Sequence, residues 1–136
     1  MRCSAFVAVL ASAVSIVAAS PLALQVRQEA ARFGSVSVTP RDFSGGDEIT
    51  VVYNASTAVH HPEFVDLYIQ GVFAGTSNVT PFFLLSRNDF GPDQEILTFS
   101  TTLPEQLNDL NVASWGVTAF VTFEQDGLTE VGGIST

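Results

Sequence analysis

The chain has 136 residues, five basic and fourteen acidic side chains, and a formal net charge of −9. All five basic residues are arginines. So acidic a chain without lysine does not follow a phosphate backbone, which excludes nucleic acid as a partner, and anionic membrane surfaces repel it. The acidity favours cationic protein partners or polysaccharides instead.

Residues 1–20 read as a secretory signal peptide. Arg2 supplies the positive start, residues 5–19 are almost wholly apolar, and the run ends in Ala18, Ala19 and Ser20 before Pro21. It is too short and too rich in alanine for a stable membrane span, and cleavage is expected between about residues 18 and 23. The protein is therefore expected to be secreted and extracellular, with no membrane attachment after cleavage. Cys3, Met1 and Arg2 leave with the leader. Four arginines then face fourteen carboxylates, 4 − 14 = −10. With no cysteine left, disulfides cannot stabilise the domain, so an apolar core must do so, and the remaining length suffices for one domain. The final residues, "EVGGIST", lack the hydrophobic tail of a lipid-anchor signal.

Residues 21–34 read as a flexible N-terminal lead, with Arg27 and Arg32 as possible trimming points. From residue 35 onward β-forming runs alternate with Gly, Pro, Asn and Asp. Strands are expected over 35–38, 48–53, 64–70, 81–86, 94–101, 115–124 and 128–134. In the third, Val65, Leu67 and Ile69 fall on one face, with Asp66, Tyr68 and Gln70 on the other. The fourth, "PFFLLS", is continuously apolar, as for a strand covered on both faces or an edge strand with an aromatic flank. In the sixth, Val117, Ala119, Val121 and Phe123 alternate with Thr118, Phe120 and Thr122. Asp126-Gly127 before the last strand is a tight hairpin signal. Residues 103–109 hold one helical turn at most. Seven short strands without a βαβ unit indicate an all-β domain over residues 35–136, an antiparallel immunoglobulin-like β-sandwich, with a closed barrel as the alternative.

Candidate chemistry is sparse. His60 and His61 adjoin in "AVHHPEFVD" (58–66). In an extended chain adjacent side chains point to opposite sides, and no other histidine or retained cysteine completes a metal shell. The pair is read as a loop entering a strand. Asp42, Asp47 and Glu48, and Asp89, Asp93 and Glu95, form loose acidic groups without a calcium-loop pattern and are read as solvated turn residues. There is no nucleophile elbow, reactive lysine or phosphate-binding glycine loop. No catalytic residue, metal or cofactor is expected. Two sequons, Asn54-Ala55-Ser56 and Asn78-Val79-Thr80, are candidate glycosylation sites. Phe82, Phe83, Phe99, Phe120 and Phe123 are expected in the core. Tyr68 and Trp115 are the candidate binding-surface residues, Tyr68 the better because it lies on the polar side of its strand.

The series "GGDEITVVYN", "VDLYIQG", "PFFLLSRNDF", "LTFSTTLP" and "WGVTAFVTFEQDGLTEVGG" resembles small secreted proteins of filamentous fungi with immunoglobulin-like sandwiches, and is similar to the Nis1-type fungal effectors. The resemblance implies an extracellular protein without enzyme activity that interferes with host defence through a protein partner. It carries over no functional residue. The expectation is a monomeric, glycosylated, non-enzymatic binding protein whose partner is a protein. A carbohydrate- or cell-wall-binding module is the alternative, and a small hydrolase using His60 or His61 comes third.

Overall fold

A computed structural model describes residues 32–136. The leader and nearly all of the lead segment lie outside the described residues. Seven strands follow in order: β1 (Ser35–Thr39), β2 (Glu48–Asn54), β3 (Phe64–Phe73), β4 (Phe83–Asp89), β5 (Ile96–Thr102), β6 (Val112–Gln125) and β7 (Leu128–Ser135). A short 3-10 helix, Glu105–Leu110, precedes β6. The strands make two antiparallel sheets, a three-stranded one in the order β1-β2-β5 and a four-stranded one in the order β4-β3-β6-β7.

The period-2 pattern decides which side chains meet. Ile49, Val51 and Tyr53 of β2 are buried, as are Val65, Leu67 and Ile69 of β3 and Val117, Ala119, Val121 and Phe123 of β6. Side chains from both sheets thus form one core. Each buried Val, Leu, Ile or Phe among them contributes about 1.5–3 kcal/mol by leaving water, offset by the entropy of ordering the chain. Leu103 and Leu107 close one end of the core, and Phe90 and Pro62 are buried toward the other.

All seven expected strands are present, with boundaries shifted by up to three residues. The expected helical turn is the 3-10 segment, ended by Asn111 in the left-handed region (φ 52°). Asp126 and Gly127 have φ of 53° and 76°, the two positive values that a primed hairpin turn requires. The "PFFLLS" ambiguity resolves toward an edge: β4 pairs only with β3. The phenylalanine expectation needs correction. Only Phe123 of the five is fully buried; Phe83 and Phe99 are half-buried against the core. Phe120 and Phe82 lie outside it. Phe120 has the outward parity of β6, and Phe82 precedes an edge strand whose outer side meets solvent.

Candidate functional site

The histidine loop is a clasp. Its rings diverge, as the extended geometry requires. The His60 imidazole stacks on Phe123 with centroids 5.2 Å apart and planes 5° from parallel. His61 Nε2 donates to the Gly91 carbonyl at 2.7 Å, and its ring leans on Phe90 at 5.3 Å. Beside them Pro62 is buried, while Glu63 N–H donates to the Thr122 carbonyl and Phe90 N–H to the Glu63 carbonyl, both at 2.8 Å. The loop is thereby tied to β6 and to the β4–β5 connection. Asp47 behaves as a turn residue, its Oδ2 accepting from Ser44 N–H at 2.9 Å, whereas Glu48 opens β2 and Asp89 ends β4. Among the described residues no three His, Asp or Glu side chains come together as a metal site.

The outer face of the four-stranded sheet is different. Tyr68 of β3, Phe82 just before β4 and Phe120 of β6 form a mutual edge-to-face trio. Centroids are 6.0 Å apart for Tyr68–Phe82, 5.3 Å for Tyr68–Phe120 and 5.2 Å for Phe82–Phe120, with planes 69–83° apart. This is the geometry that the ring quadrupole favours. The sheet register builds it. Phe120 stands opposite Asp66 on one side and Gly133 of β7 on the other. Gly133 leaves room for the ring, since a Cβ there would lie 3.2 Å from it. Tyr68 pairs with Leu84, just past a register shift between Leu67 and Tyr68 that re-aims the side chains on β4. Phe82 remains 44% exposed and Leu84 50%. Further along the same face a shallow cleft of about 400 Å³ is lined by Phe64, Asp66, Arg87, Asn88, Asp89 and Thr122. The face therefore combines exposed rings with two carboxylates and an arginine.

Trp115 lies on the other side of β6, with the parity of the core residues. It pairs with Gly71, packs on Phe83 at 6.1 Å and is partly buried against the core. A Cβ at Gly71 would stand 3.0 Å from the indole, so the glycine admits the ring. Trp115 also lines a separate cleft with Val36, Val38, Arg41 and Asp42. Tyr68 and Trp115 are thus not brought together. Asn54 is half-exposed at the end of β2, its Oδ1 accepting from Ser56 N–H at 2.8 Å. Asn78 is exposed in the β3–β4 connection.

Sequence reasoning missed two members of the trio, Phe82 and Phe120. For Phe120 the signal was present, because its alternation with Ala119 and Val121 puts it on the face opposite the core. It also missed Thr80, taken only as a sequon residue. Thr80 is buried, and its Oγ1 accepts from Gly71 N–H at 3.0 Å and donates to the Pro81 carbonyl at 2.8 Å. No protein-family model, curated protein or solved structure matches the chain.

Proposed function

We propose that the protein is a secreted, glycosylated, non-enzymatic binding protein, and that it engages a protein partner through the outer face of β4-β3-β6-β7. The observation that carries this reading is the trio of Tyr68, Phe82 and Phe120 standing outside the core on an acidic domain. Aromatic residues kept on a surface, beside charged side chains, are the usual anchors of protein interfaces. The steep angles between the rings favour a contoured protein surface over a flat polysaccharide, which wants ring faces in one plane. The engagement of both histidines in packing supports a non-enzymatic role. Strand order supports reading the fold as immunoglobulin-like, since two sheets joined by hairpins and crossovers around one core are the frame of that class. The likeness to secreted fungal effectors supports an extracellular partner and a role against host defence.

The test is retention and capture. The secreted protein is expected to pass over chitin, β-glucan and cellulose unretained; retention on any of them would favour the carbohydrate-binding alternative. A photo-reactive residue in place of Phe82 is expected to capture a discrete extracellular protein, and Tyr68→Ser to abolish that capture with the fold unchanged by circular dichroism. Replacing His60 and His61 together by alanine is expected to leave capture intact.

A further inference from the structure

Among the described residues the two sheets have four edge strands, and three of them carry features that discourage pairing with another chain. β1 is five residues long and is followed directly by Pro40. β4 carries Arg87 and Asp89 and the register shift in its pairing with β3. β7 carries Glu130. β5, "ILTFSTT", has no charge and no proline, and it pairs with β2 in unbroken register over seven residues.

The free side of β5 can be read from its ladder. Ala55 N–H donates to the Glu95 carbonyl at 2.8 Å and Leu103 N–H to the Asp47 carbonyl at 2.9 Å. Odd-numbered residues of β5 therefore turn their backbone groups to β2. Ile96, Thr98, Ser100 and Thr102 turn theirs outward. Part of this edge is occupied: the Ile96 carbonyl accepts from Gln94 Nε2 at 3.1 Å and the Thr102 carbonyl from Thr101 Oγ1 at 3.5 Å, each residue keeping its N–H and a second lone pair free to pair.

We infer that β5 is a self-association edge, pairing antiparallel with β5 of a second copy about a two-fold axis at Phe99. That register sets Thr98 against Ser100 and Ile96 against Thr102, each pair having its backbone groups turned outward, so both members can exchange N–H···O bonds. Phe99 meets its own counterpart at a non-hydrogen-bonded position, where cross-strand side chains approach most closely and aromatic pairs are favourable. The interface is isologous and closed, so it stops at two copies. It also answers the objection from net charge. Glu95 falls opposite position 103 of the second copy. The two Glu95 carboxylates are then separated by about 26 Å along the strands, well beyond the screening length of about 8 Å at physiological salt. The nearest like charges are Asp47, in register with position 103, and Glu95 of the second copy, two strand spacings or about 10 Å apart. Acidity predicts a monomer for the molecule as a whole, but this edge is where charge is missing. The inference is independent of the aromatic face.

Sedimentation equilibrium of the secreted protein over about 1–100 μM, where interfaces of modest area associate, is expected to show the mass rising from one copy to two. Thr98→Pro removes an outward N–H without touching the β2 ladder, and Thr98→Lys adds the charge that protects natural edges. Both are expected to weaken dimerisation at least about tenfold while circular dichroism and the melting temperature stay those of the unsubstituted protein. Thr129→Lys on β7 is the control and is expected to leave the dimer intact. A single-copy mass throughout the range would overturn the inference. So would a dimer that survives both substitutions at Thr98, because it would use another surface.

Discussion

Tyr53 shows how one side chain joins the sequence to the stability of the whole. Its ring is fully buried, edge-on to Phe90 at 5.6 Å, and its hydroxyl donates to the Phe33 carbonyl. Burial pushes the hydroxyl from 10.0 up to about 12, because the phenolate would lose its hydration. The folded state therefore holds the proton longer than the unfolded state. The associated stability is fully present below pH 10 and is lost as pH rises from 10 to about 12, an effect of roughly 2 kcal/mol. Tyr53→Phe is expected to cost about 1 kcal/mol at neutral pH through the lost hydrogen bond, and to flatten the fall in stability at alkaline pH. Urea unfolding of both proteins at about pH 7 and about pH 11 checks this; parallel losses on going alkaline would contradict it.

At the scale of elements, the hairpin joining β6 to β7 depends on backbone conformation more than on contact. A Cβ at Gly127 would meet nothing within 4 Å, yet its φ is 76°. Gly127→Ala is therefore expected to destabilise by about 1 kcal/mol through left-handed strain alone, read as a lower urea midpoint at unchanged slope. The strands themselves were legible because alternation and turn residues coincide: Val65, Leu67 and Ile69 declare an inward face with no knowledge of their neighbours. Edges were not legible. "PFFLLS" satisfies a covered strand and an edge strand equally, and only its pairing with β3 alone decided the matter. The Phe82 side chain was hidden for the same reason. It precedes β4, and its position beside Tyr68 follows from a register shift that no local pattern encodes.

For the whole molecule, charge is the dominant surface property. Residues 32–136 hold thirteen carboxylates and three arginines, 3 − 13 = −10. The one ion pair found among the described residues joins Arg32 to Glu130 at 3.6 Å, well exposed to solvent and worth little. Self-repulsion thus exceeds specific attraction, and added salt is expected to stabilise the fold. Calorimetry in about 10 mM and about 0.5 M sodium chloride is expected to show a melting temperature a few degrees higher at high salt; a decrease would mean that attractive pairs dominate. The same charge directs attention to the few neutral or apolar surfaces, the outer aromatic face and the β5 edge, as places where another molecule can approach.

Sequence by itself determined an all-β domain, its seven strands, the inward face of β2, β3 and β6, the Asp126-Gly127 turn and the divergence of His60 from His61. These follow from backbone geometry that repeats every two residues and from turn residues that act locally. Tertiary structure alone decided that Tyr68 sits with Phe82 and Phe120, that Trp115 packs on Phe83 beside a separate cleft, and that β5 is an unprotected edge. Each of those depends on which strands lie beside one another. Such pairings join residues far apart in the chain, as between Phe64 and Thr122, and a pattern of period two carries no record of them.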